Sequence, residues 1–127
     1  MGEPRKVSVL VVEDEEPLLS LFEKVLAQSG FEPIAATTLE TAQTLLAQRT
    51  VEILVCDLSV AAGRNFFDFV ASVRKQHPEI AILIISGYTP EEIAFRAETL
   101  GVMVLDKPFS PPDLIQRISA LLGREAA

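Results

Sequence analysis

The sequence is poor in several features that whole protein classes need. Its apolar runs reach only about five to seven residues, far short of the roughly 20 that a membrane-crossing helix requires, and the opening "MGEPRK" has no signal-peptide apolar core. The expectation is a soluble, cytoplasmic chain with no membrane insertion. Cysteine is nearly absent: Cys56 stands alone, which excludes an internal disulfide, and its place inside the run "ILVC" reads as a small core residue rather than a redox centre. The single histidine, His77, precedes Pro78 in a polar stretch and reads as solvated. Positive charge is short as well. Eleven Lys and Arg against eighteen Asp and Glu give a formal charge of −7, a field that repels phosphate backbones and argues against direct nucleic-acid binding. No repeat and no low-complexity tract interrupts the chain.

What is present is a core. With 127 residues and 49% hydrophobic content the chain suits one domain, expected over residues 7–122, with a disordered N-terminal segment at 1–6 and a short C-terminal tail at 123–127. Val- and Ile-rich runs recur at 7–12, 32–36, 52–56, 81–86 and 102–105, each followed by a segment of helical period. Strands one, three and four are apolar almost throughout, which predicts burial on both faces of a parallel sheet. Helical stripes are formed by Leu18, Leu19, Phe22, Val25 and Leu26, and by Leu39, Ala42, Leu45 and Leu46. Asn65 with Asp68, Thr89 with Glu92 and Ser110 with Asp113 have capping-box spacing, Pro90 and Pro111 suit first helical positions, and Gly30, Gly101 and Gly123 mark expected helix ends. Right-handed crossovers between five such units give a doubly wound α/β sheet.

In such a sheet ligands bind at the carboxyl ends of the strands. There the chain places Glu13 and Asp14 after strand one, Asp57 at the end of strand three, Ser86 at the end of strand four, and Asp106, Lys107 and Pro108 after strand five. Three carboxylates at one edge suit magnesium, a hard cation that takes oxygen ligands and keeps several waters. The charges of Glu13, Asp14, Asp57 and Lys107 leave a deficit that one divalent ion balances. Glu15, Glu16 and Pro17 read instead as the first turn of a helix, where acids are favoured by the helix dipole. Asp106 reads as a surface neighbour. Phe66, Phe67, Phe69, Val70 and Val73 read as core and partial helix surface, and because two adjacent phenylalanines are not expected both to face inward, one of the pair Phe66 and Phe67 is expected to mark a contact surface.

From about residue 7 to 122 the sequence resembles the receiver domains of two-component response regulators, through "VVEDE", the Asp57 that ends "ILVCD", Ser86 in "IISGY" and Lys107 in "DKPF". The resemblance implies a flavodoxin-like (βα)5 fold with strand order 2-1-3-4-5. It implies that Asp57 is the phosphoacceptor, taking a phosphoryl group from a phosphohistidine of a histidine kinase or phosphotransfer protein. Mg2+ would be held by Glu13, Asp14, Asp57 and the main-chain carbonyl of Ser59. Ser86 would be the switch hydroxyl and Lys107 the cation paired with the phosphoryl group, aimed by a cis Lys107–Pro108 peptide. Such a domain is not a conventional enzyme, although it assists its own phosphorylation and dephosphorylation. Its output would be a switched surface for a downstream protein, with a homodimer through helix four, strand five and helix five as one form.

Two positions depart from the family pattern. The loop "DLSVAAGRNFF" has Val60, Ala61 and Asn65 where a Met-Pro turn and a glycine are common. Val104 stands where many receivers carry an aromatic ring that turns inward on activation, which leaves Tyr88, just past Ser86, as the candidate gating residue. These departures motivate an alternative, a pseudo-receiver that binds partners without phosphorylation. A third class fits worse: a haloacid dehalogenase-like phosphatase would want an aspartate where Ser59 stands, and a flavodoxin would want a phosphate loop where Glu13 and Asp14 stand.

Overall fold

A computed structural model describes residues 6–61, 66–87 and 91–126. Strands β1 (Ser8–Val12), β2 (Glu32–Ala36), β3 (Ile53–Asp57), β4 (Ala81–Ser86) and β5 (Met103–Asp106) alternate with helices α1 (Glu16–Gln28), α2 (Leu39–Gln48), α3 (Phe66–Gln76), α4 (Glu91–Leu100) and α5 (Pro111–Ala126). A 3-10 turn, Leu58–Ala61, follows β3. The strands pair in parallel in the order β2-β1-β3-β4-β5, as expected for the doubly wound fold. Among the described residues no helix is long and apolar enough to cross a membrane.

Alternation along each strand sorts the core into two layers. Leu10, Val12, Leu54, Cys56, Ile82 and Ile84 face the side covered by α2, α3 and α4. Val9, Val11, Ile53, Val55, Leu83 and Ile85 face the side covered by α1 and α5. A strand buried on both faces has no use for a polar alternate, so β3 and β4 are apolar until their last residues, Asp57 and Ser86, and β1 is apolar after Ser8.

The helix ends show how local chemistry sets the boundaries. Ser110 and Asp113 form a reciprocal box, with the Ser110 N–H donating to Asp113 Oδ2 at 3.0 Å and the Asp113 N–H donating to Ser110 Oγ at 3.2 Å. Ser110→Ala is expected to cost about 1 kcal/mol of stability, read as a lower urea midpoint at unchanged slope. Gly30 and Gly101 take positive φ and close α1 and α4. Gly123 does not end a helix as its sequence suggested: α5 runs through it to Ala126, because glycine only weakens a helix and the apolar stripe of Leu114, Ile118 and Leu121 carries the packing. Residues 1–5, Asn65, Tyr88, Thr89 and Pro90 lie outside the described residues.

The expectation that one of Phe66 and Phe67 faces outward is corrected, since both are buried. The first turn of α3 is covered on two sides, by the sheet and by α4. Phe66 meets Phe67 edge-on at 5.6 Å and Phe69 at 6.5 Å, and the Arg96 guanidinium of α4 lies 4.8 Å above the Phe67 ring. At the amino edge of the sheet, Arg74 of α3 reaches three carbonyls, donating from Nη1 to Ile80 at 2.6 Å and Pro78 at 3.3 Å, and from Nη2 to Gly101 at 3.4 Å.

Candidate functional site

Asp57 is the last residue of the central strand β3 and is almost wholly buried. Its two oxygens face different partners. Oδ1 accepts from the Ser59 main-chain N–H at 2.9 Å and from the Ser59 hydroxyl at 2.8 Å, whereas Oδ2 is paired with the Lys107 ammonium at 2.5 Å, in the geometry of an ion pair rather than a directed hydrogen bond. Burial alone would push the Asp57 carboxyl up, but Lys107, the Ser59 N–H, Glu13 and the Ser59 hydroxyl hold it below the usual carboxylate range.

Lys107 arrives from the end of β5. Its main-chain N–H donates to the Ser86 carbonyl at 2.8 Å, extending the β4–β5 ladder by one rung, and the peptide to Pro108 is cis. Partial burial would lower its pKa, and the charges of Asp57, Glu13 and Glu15 raise it above the ordinary lysine value. Ser86 is buried at the end of β4, one residue past the Ile85 that pairs with Asp57 in the sheet.

Glu13 follows β1 and is also nearly inaccessible. Its Oε2 accepts from the Glu15 N–H at 3.0 Å at the start of α1, while Oε1 is buried with no hydrogen-bond partner among the described residues. Burial pushes its carboxyl up to about 7; the Glu15 N–H opposes that rise, and Asp57 and Asp14 add to it. Asp14 itself is exposed, and Glu15 and Glu16 stand at the helix start as their sequence position suggested. Among the described residues no group of three or more His, Cys, Asp and Glu side chains is disposed to enclose a metal ion by itself.

The structure thus brings the buried Glu13 and Asp57 together with the partly buried Lys107, sets Ser86 on the adjoining strand end, and leaves Asp14 at the rim. Val104 sits half-buried on the sheet face shared with Phe66 and Phe67. Cys56 is a core residue whose thiol burial pushes up, with the Asp57 and Glu13 charges adding to the shift, so it stays protonated and unreactive. What the sequence did not bring out is the role of the Ser59 side chain, since the resemblance implies only its main-chain carbonyl. The signal was present: an aspartate with a serine two residues on is the spacing at which an Asx-type turn forms.

Comparison with known proteins agrees with this geometry. Residues 9–119 match the family model described as the response regulator receiver domain. The phosphate regulon transcriptional regulatory protein PhoB of Escherichia coli is 29% identical over 119 residues, covering 91% of this chain and 52% of PhoB. The response regulator SaeR of Staphylococcus aureus is 29% identical over 117 residues, covering 91% of this chain and 50% of SaeR. The chain therefore spans about half the length of these curated relatives. Among solved structures, a CheY-like receiver domain protein from Methanospirillum hungatei superposes with a TM-score of 0.87 at 19% identity, covering 96% of this chain and 98% of that one. An orphan response regulator of Helicobacter pylori gives 0.84 at 27% identity, covering 94% and 99%. With sheet order, buried acid cluster and family model in agreement, the chain belongs to the response regulator receiver domain family.

Proposed function

We propose that the chain is a cytoplasmic phosphoacceptor in a two-component phosphorelay and that Asp57 carries the phosphoryl group. The observation that carries this reading is the ion pair between a buried strand-end aspartate and Lys107, which holds a nucleophilic carboxylate ionised and places a cation where phosphoryl charge will arrive. An Asp57 oxygen attacks the phosphorus of a phosphohistidine. The P–N bond breaks, its electron pair stays on the imidazole, and an acyl phosphate forms. Lys107 then pairs with a phosphoryl oxygen, and the Ser86 hydroxyl donates to another.

The residues fit a magnesium ion. All donors are hard oxygens, and Glu13 Oε1 is a buried acceptor with no hydrogen-bond partner among the described residues, the kind of atom that a cation or its bound water would satisfy. Glu13, Asp14, Asp57 and the Ser59 main-chain carbonyl would hold it. When bound, the ion neutralises charge on the transferring oxygens.

The donor would be a histidine kinase or histidine phosphotransfer protein. An apolar groove of about 370 Å³ flanks Lys107, lined among others by Leu18, Leu21, Phe22, Pro108 and Phe109, and offers such a partner a docking face beside the acceptor. The output would be a downstream protein or a homodimer reading α4, β5 and α5, with no direct nucleic-acid contact by this domain. With a valine at 104, transmission to that face cannot use a rotating ring at this position.

The test is incubation with acetyl phosphate and millimolar Mg2+. Intact-mass analysis is expected to show one added phosphoryl group on the wild type and none on Asp57→Asn. Uptake by both variants would move the acceptor elsewhere. No uptake by the wild type, from acetyl phosphate or from a phosphorylated donor domain, would overturn the reading in favour of a phosphorylation-independent interaction module.

A further inference from the structure

Lys107 is carried to Asp57 by a short link between β5 and α5. On its amino side the Lys107 N–H is fixed to the Ser86 carbonyl at 2.8 Å. On its carboxyl side two residues lead to Ser110, which caps α5 with Asp113. Pro108 is exposed, so Phe109 is the residue of that link that reaches the core layer under α1 and α5. There it stacks on Phe22, with ring centroids 5.9 Å apart and planes 15° from parallel. Phe22 is buried on α1, the helix that Glu13 and Asp14 precede. The stack therefore ties the segment that delivers the cation to the segment that delivers the acids.

We propose that Phe22 is a positioning residue for phosphotransfer: stacked on Phe109, it fixes the turn after β5 and so keeps the Lys107 ammonium at Asp57. The inference rests on the phosphoacceptor reading above. A lysine ammonium rides on a flexible four-carbon stem, so where it rests depends on how firmly its backbone is held. Gly87, across the turn, has no side chain to grip that stem, and a β-carbon there would come only to 3.9 Å from Lys107 Cδ. The Lys107 side chain is one-third exposed, which lets water compete for the ammonium once the turn loosens. Phe22 touches neither Asp57 nor the phosphoryl group and acts through the placement of Lys107. A stacked aromatic pair contributes enough to change such a placement equilibrium roughly two- to tenfold.

The experiment compares wild type, Phe22→Leu, Phe109→Leu, the double variant and Phe109→Tyr. Leucine keeps apolar bulk in the core and removes a ring, whereas tyrosine keeps the stack. Each protein is treated briefly with N-hydroxysuccinimidyl acetate, and acetylation of Lys107 is read by peptide mass against that of the exposed Lys75 on α3. The rate of phosphoryl uptake from acetyl phosphate is measured by intact mass over a range of Mg2+. Both single leucine variants are expected to raise the Lys107 to Lys75 labelling ratio about two- to tenfold and to slow uptake at saturating Mg2+ by a similar factor. The Mg2+ concentration for half-maximal uptake is expected to stay within about twofold of wild type, as are both readouts in Phe109→Tyr. The double variant is expected to match the worse single one, because either change removes the same stack. An unchanged labelling ratio overturns the proposal, as do an equal rise at both lysines, multiplied effects in the double variant, or freed Lys107 with wild-type uptake. Those results leave the phosphoacceptor role standing, whereas a wild type that takes up no phosphoryl group overturns both.

Discussion

Freed of divalent cations, the protein is expected to be most stable near pH 5 and to lose on the order of 2–3 kcal/mol by pH 8, and Glu13→Gln is expected to abolish most of that loss. The sign follows from Glu13, whose carboxyl rises from an ordinary value of 4.5 to about 7 in the folded state. Between those values the unfolded chain has released this proton and the folded chain has kept it. Raising the pH through the window therefore favours unfolding, and the penalty is complete once the folded carboxyl also ionises. Asp57 works in the opposite sense. Its carboxyl lies below the ordinary 3.8, so its stabilisation is present above that value and is lost as pH falls through its folded pKa. The two curves leave an optimum between them. Glutamine at position 13 keeps an oxygen for the Glu15 N–H and cannot ionise. Urea unfolding in EDTA at pH 5, 6, 7 and 8 reads the effect, and a Glu13→Gln slope equal to wild type would refute it. Millimolar Mg2+ is expected to restore more stability at pH 8 than at pH 5, because a cation competes with the proton for these oxygens.

Phe66→Ala is expected to cost about 3–5 kcal/mol, a large share of the stability of an ordinary domain, which is roughly 5–15 kcal/mol. Phe66 is buried between the sheet and the other rings of α3, and truncation leaves a cavity that Phe67 and Phe69, already in ring contact with it, cannot both close. Phe66→Leu keeps most of the volume and is expected to cost under half as much. A loss below about 1 kcal/mol for alanine would mean that the first turn of α3 repacks freely.

The same pair shows what the sequence concealed. Each of the five strands lies within a residue of its expected bounds, because period-two burial and Val/Ile enrichment are local signals. The convergence of Glu13, Asp57, Ser86 and Lys107 was legible too, since a parallel sheet must carry all its strand ends to one edge. The adjacent phenylalanines were misread because helical period assumes one covered face, and α4 gives α3 a second one that no local pattern announces. Gly123 was misread because a helix stop is a weak local preference that the packing of Leu121 overrides. The hydroxyl of Ser59 was hidden for the opposite reason: its bond to Asp57 spans two residues and leaves no periodic trace in the sequence.

Arg74 carries a mechanical consequence. One guanidinium joins the exit of α3, the approach to β4 and the turn before β5 through the carbonyls of Pro78, Ile80 and Gly101. All three points are at the end of the sheet away from Asp57. Those carbonyls share one donor group, so the segments that lead into β4 and β5, paired along their length, are tied together at the edge of the sheet opposite the site.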